Sequence, residues 1–167
     1  MSVREQVREL ERAADEFRRC VVGLDETTFL RKFGDWSPRD VVAHLIGWNV
    51  YTVEGGRQIM KREYPFYFSD PGEDFSKVNA VSVKKYGATD RRELLEQMHE
   101  TVRGLRQFLL SLDPSEWDGN YGILYEDSPV TIKNTVDALI SDYYEHRQLL
   151  LRWANEGGGP QGGIRHP

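Results

Sequence analysis

The sequence predicts an all-α protein, a four-helix bundle, on three observations. Four long stretches repeat apolar residues at steps of three and four, the period of a helix with one buried face. Each stretch opens on a residue suited to capping a helix N-terminus. No internal repeat is present, and no run of residues has an evident partner for a strand ladder. The 167 residues suit one domain with a well-buried core.

The first helix is expected over residues 2–22. Ser2 and Glu5 fit a capping box, Val3, Val7, Leu10, Ala14, Phe17 and Val21 form its inner face, and Gly23 ends it. Cys20 falls near the buried edge and reads as a packed structural thiol. After a connection over 24–36, Ser37 caps the second helix, with Pro38 at its first position and Asp40 three after the cap. Val41, Leu45, Trp48 and Thr52 mark its inner face, and His44 belongs to the same face. Gly55-Gly56 is expected to bend or loosen the helix, which ends near Arg62.

Residues 63–74, EYPFYFSDPGED, form a loop with an Asp70-Pro71-Gly72 turn. Phe66, Tyr67 and Phe68 are too apolar for a solvated loop; they pack over one bundle end or meet a partner chain. A shorter helix follows over 75–86, capped by Asp74 and stopped by Gly87. Thr89 or Asp90 caps the third long helix, residues 91–112, whose wide apolar face includes Leu94, Met98, Val102, Leu105 and Leu109. His99 is rotated off that stripe and reads as surface. Asp113-Pro114-Ser115-Glu116 starts a single turn with Trp117 packing back. Residues 121–125 have the makings of a short strand without a partner. Thr131 caps the last helix, 131–153, with Ile132, Val136, Leu139, Tyr143, Leu150 and Trp153 on one stripe. The expected domain is 1–155, followed by a glycine-rich tail, 156–167, that includes His166. Some thirty residues join the second and third long helices, enough for that connection to cross the bundle.

Composition narrows the function classes. A formal charge of −5 without a Lys/Arg-rich run argues against nucleic acid. The chain is charged from its fourth residue, so no signal peptide is expected, and no apolar run reaches the ~18 residues of a membrane span. A single cysteine excludes an internal disulfide and suits a reducing compartment, so a cytoplasmic protein is expected.

Asp142 and His146 stand four residues apart beside the inner stripe of the last helix, so they share one face. With His44 on the second helix they form three polar groups at inner or inner-edge positions. Buried polar groups need partners, and two imidazoles and a carboxylate on facing helices can hold a divalent ion. The alternative for each is ordinary: a hydrogen-bonded core histidine, and a helical ion pair.

Two segments resemble the DinB/YfiT-like superfamily of small four-helix bundles, whose members often hold nickel, zinc or a similar ion. One is Trp36-Ser-Pro-Arg-Asp-Val-Val-Ala-His44-Leu-Ile-Gly-Trp48; the other is Asp142-Tyr-Tyr-Glu-His146-Arg147-Gln148. The resemblance implies that His44, Asp142 and His146 are metal ligands, with Asp142 where the family usually has histidine. His44-Leu-Ile-Gly-Trp48, the aromatic loop and the stretch from Phe75 through Asn79 to Tyr86 are similar to the ClbS/DfsB-like branch. That likeness implies a pocket lined by Trp48, Tyr51, Asn79 and Tyr143, against the alternative of core and rim packing. Tyr143 or Glu145 serves as acid or base there only if a pocket perturbs its pKa.

Three functions follow as expectations. The first is a DinB-like metal-dependent enzyme, activating water or a low-molecular-weight thiol toward a small electrophilic substrate. The second is a metal-free protective hydrolase or binder of small electrophiles, as the ClbS-like branch implies. The third is a non-catalytic bundle acting as a homodimer or with a partner.

Overall fold

The computed structural model describes residues 1–69, 75–87 and 90–156. The expected Asp70-Pro71-Gly72 turn, the Asp74 and Thr89 caps and the tail beyond Glu156 lie outside the described residues. Four long helices form the bundle: α1 (Val3–Val22), α3 (Pro38–Met60), α5 (Arg91–Leu110) and α7 (Ile132–Asn155). Three shorter helices, α2 (Glu26–Leu30), α4 (Ser76–Tyr86) and α6 (Pro114–Trp117), fill the connections, with a 3₁₀ turn at Phe66–Ser69.

Side-chain pairs give the helix directions. Asn49 bonds Thr101 while Gly56 abuts Phe108, so α3 and α5 run parallel. His44 meets Asp142 while Gly56 lies near Ile132, so α3 and α7 run antiparallel. Glu11 pairs with Arg106 and Arg91 bonds the Val21 carbonyl, which sets α1 against α5. Because α3 and α5 are parallel, the connection between them must travel the length of the bundle, as its length allowed. The core is continuous across the four helices: Leu10, Phe17, Leu45, Ile46, Leu94, Leu105, Val136 and Leu150 are fully buried. Phe33, in the first connection, stacks on Trp153 at 4.6 Å between ring centroids.

The capping signals read true at α1 and α3, where Ser2–Glu5 and Ser37–Asp40 form reciprocal capping boxes. Asp90 caps α5 through the Glu93 amide, and Thr131 caps α7. α3 runs through Gly55-Gly56 to Met60, close to the expected end near Arg62, and those glycines admit neighbours: a Cβ on Gly55 would stand 2.5 Å from the Tyr67 ring, and one on Gly56 2.8 Å from Phe108. The aromatic loop packs on its own chain, the first of its two expected alternatives: Tyr67 is buried, and Phe66 and Phe68 are half-buried. One expectation changes: the strand at 121–125 has a partner. β1 (Leu124–Tyr125) pairs antiparallel with β2 (Ser128–Pro129). Glu126 and Asp127 between them both have positive φ, 48° and 63°, the backbone of a tight hairpin turn. The sequence lacks the Asn-Gly that usually marks such a turn. His99 is exposed and Cys20 half-buried, where burial raises the thiol pKa. Among the described residues no helix is long and apolar enough to cross a membrane.

Asp40 locks the entrance to α3. Its buried carboxylate accepts bonds from the Ser37 amide (2.8 Å), Lys32 (2.8 Å) and Arg39 (2.7 Å). Burial alone would raise its pKa, but the bonds from Lys32, Ser37 and Arg39 outweigh that and hold it below the ordinary value. A depressed carboxyl contributes stability that is full above its unfolded pKa, about 3.9, and is lost as pH falls through the folded value. Asp40→Asn is therefore expected to cost about 1–3 kcal/mol in urea unfolding at neutral pH. It should also flatten the acid limb of the stability profile below about pH 4.

Candidate functional site

α3 is buried on nearly every side over Val41–Gly47. One side faces the bundle, and another is covered by α4. Gly47 makes the second contact possible, since a Cβ there would stand 2.4 Å from the Cβ and hydroxyl of Ser82 on α4. His44 lies between these two neighbours. Its Nε2 is 2.9 Å from Asp142 Oδ2 on α7, and its Nδ1 is 3.1 Å from Asn79 Oδ1 on α4. The Trp48 indole N–H donates to the same Asn79 oxygen at 2.7 Å, which fixes the amide with its oxygen toward His44. His146 Nδ1 is 2.9 Å from Asp142 Oδ1 and 2.7 Å from the Asp142 carbonyl oxygen. One carboxylate thus stands between two imidazoles whose ring centroids are 4.9 Å apart.

Electrostatics follow from this packing. Burial pushes the His44 pKa down, and the Asp142 bond only partly offsets it. At His146 burial acts the same way, but the bonds and charge of Asp142 prevail and the pKa is raised. Asp142 is largely enclosed; burial would raise its pKa, yet the two histidines together hold it well below the carboxylate range. One potential ligand atom from each of His44, Asp142 and His146 lies within 4.8 Å of the others. The three residues are therefore brought together as a cluster that could hold a metal ion.

Two of the three, His44 and Asp142, line a cavity of about 510 Å³, with His146 behind them. Trp48 and Asn79 line it, as does Glu145 at its rim. Tyr51 and Tyr143, expected beside them, lie elsewhere. Tyr51 packs behind Trp48 at 5.7 Å between centroids, edge to face, and near the Ser82 hydroxyl. Tyr143 is fully buried in the bundle, where its hydroxyl donates to Asn49 Oδ1 at 2.9 Å and burial pushes its pKa well up. Its place on the apolar stripe of α7 signalled this core position. Missed altogether were Phe75, Tyr125, Pro129 and Val130, which complete the cavity wall from α4's start and from the hairpin. The hairpin gave no sequence signal for its turn, so nothing pointed to that wall.

Comparisons agree on the fold. The family model of the DinB superfamily matches residues 9–150. A Streptococcus pneumoniae protein superposes with a TM-score of 0.78 at 13% identity, over 93% of this chain and 91% of that one. The colibactin self-resistance protein ClbS, solved in complex with a dsDNA, gives 0.74 at 16% identity over 92% and 96%. The mycothiol-dependent maleylpyruvate isomerase gives 0.69 at 14% identity, over 90% of this chain and 61% of that one. A comparison with curated proteins finds no match.

Gly47→Ala is expected to push α4 off α3 and so take Asn79 away from His44. The expected cost is about 1–3 kcal/mol in chemical unfolding, with faster exchange of the His44 ring proton by NMR. Unchanged stability and exchange would mean α4 tolerates the methyl group.

Proposed function

Given that the chain belongs to the DinB superfamily, we propose that it is a metal-dependent enzyme. In this reading His44, Asp142 and His146 hold a divalent ion such as zinc or nickel, and the adjoining cavity receives a small electrophilic substrate. The observation that carries the reading is the hydrogen bonding of His44. Both its ring nitrogens face oxygen acceptors, Asn79 Oδ1 and Asp142 Oδ2. A neutral imidazole has one N–H, and burial favours the neutral form. With Nδ1–H given to Asn79, the Nε2 lone pair meets a carboxylate oxygen, an arrangement that a cation between them resolves. The His146 ring is likewise oriented, its Nδ1 facing the Asp142 carbonyl oxygen at 2.7 Å.

A bound divalent ion supplies Lewis acidity, polarising an oxygen or lowering the pKa of a water or thiol. The chain's own residues do the rest. Asn79 and Trp48 set the His44 ring, and the Asp142 carbonyl sets His146. Glu145 stands at the rim, within the cavity's lining. The acidic net charge disfavours a phosphate backbone as partner, although the ClbS structure contains DNA.

A metal-free protective hydrolase or binder is the second reading, favoured by one observation: Asp142 already bonds both imidazoles directly. Chelation separates the two. Protein loaded in zinc or nickel buffer is expected to retain about one ion per chain, and His44→Ala or His146→Ala to lose it. Because His146 has a raised pKa, protons compete early, so ion affinity should fall as pH drops through the range just above the ordinary histidine value of about 6.5. A chain that takes up no divalent ion even well above that range would remove the metalloenzyme reading.

A further inference from the structure

The cavity wall identifies a class of substrate. Resting on the reading that this cavity is the substrate site, we infer that it selects an uncharged molecule bearing an aromatic ring, and that Phe68 and Tyr125 set this selectivity. Trp48, Phe68, Phe75 and Tyr125 all line the cavity, yet each is only half-buried. They stand edge to face or stacked on one another. Trp48 and Phe75 centroids are 5.4 Å apart at 84°, and Phe68 lies flat on Tyr125 at 4.4 Å and 12°. Rings so braced are held in place before a ligand arrives, and they offer both faces and edges to another ring at separations favourable for aromatic pairing. A volume of about 510 Å³ accommodates a fused bicyclic ring with a substituent directed at the His44–Asp142 end.

Charge excludes the other candidates. Among the described residues no Lys or Arg lines the cavity, whereas Asp142 and Glu145 both do. In the ion-free chain, a carboxylate or phosphate entering it would lose water without gaining a cationic partner from the lining, and would meet two carboxylates. For an organic cation, Asp142 is already committed to two imidazoles, and Glu145 stands only at the exposed rim. The uncharged arene remains. The selecting rings come from the 3₁₀ turn and the hairpin, outside the four long helices, so they define specificity apart from the polar cluster.

The test titrates chelator-treated protein with three probes by calorimetry: 2-acetylnaphthalene, 2-naphthoate and 2-acetyldecalin. The neutral arene is expected to bind about tenfold or more tighter than naphthoate and about threefold to tenfold tighter than the saturated ketone. Phe68→Ala and Tyr125→Ala should each erase most of the preference for the arene over the saturated ring. Glu145→Lys, a change at an exposed position on the cavity rim, should strengthen naphthoate binding relative to the ketone. Equal binding of naphthoate and ketone, no preference for the arene, or no binding of any probe at millimolar concentration would overturn the inference. Because no ion is present, a failure of metal uptake leaves this result standing, and arene selectivity in a chain that takes up no ion would retire only the metalloenzyme reading.

Discussion

The Asp142 carboxylate, held between the imidazoles of His44 and His146, is the interaction on which the site depends. It is partly buried, its side chain a quarter exposed, and a carboxylate drawn out of water needs partners. Satisfying it fixes two things together. His146, one turn further along α7, orients the carboxylate from its own helix, and His44 ties it to α3. The register of the antiparallel α3–α7 pair is therefore set at one level of the bundle. Behind His44 the same constraint continues into α4, because Asn79 must present its oxygen and Trp48 must hold it there. A chain of polar contacts thus runs from α7 through α3 to α4.

Much of this was legible in the residues, for identifiable reasons. Asp142 and His146 were readable because a spacing of four on a helix leaves no choice of face. His44 was readable because Ser37 and Pro38 fix where α3 begins, and hence the phase of everything after it. Tyr143 shows a conflict between two kinds of signal. The family likeness assigned it to the pocket, while its step of four from Leu139 assigned it to the stripe; about 100° of helical rotation separates it from Asp142, and the stripe prevailed. What was illegible depends on contacts between distant segments. Gly47 looks like a weak point in a helix until Ser82 is set against it. Glu126 and Asp127 are poor markers of a hairpin, and their left-handed backbone is held by strand pairing and by Tyr125 packing on Phe68.

Long helices and connections divide the work in this bundle. The polar cluster is carried on long helices, whose phase is set by core packing and does not vary without loss of the fold. The opposite wall is carried on a 3₁₀ turn, the start of α4 and a two-residue hairpin, segments with few obligations to the core. Changes there alter the shape and polarity of the cavity and leave His44 and Asp142 in place. Fold therefore says little about substrate, and the wall says more.

A carboxylate in a position where the family usually has histidine has its own consequence. On the metal reading, an Asp ligand offsets half the charge of a divalent ion, where a third imidazole would offset none. A site with less net positive charge attracts anions less. That agrees with a cavity whose remaining lining supplies no cation and whose rim carries Glu145. Oxygen donation also moves the site's preference away from the softest ions, toward those that accept mixed nitrogen and oxygen ligands. On the metal-free reading, the same carboxylate keeps His146 basic and His44 oriented. In both readings the electrostatic character of the pocket turns on Asp142, and it points to substrates that approach without charge.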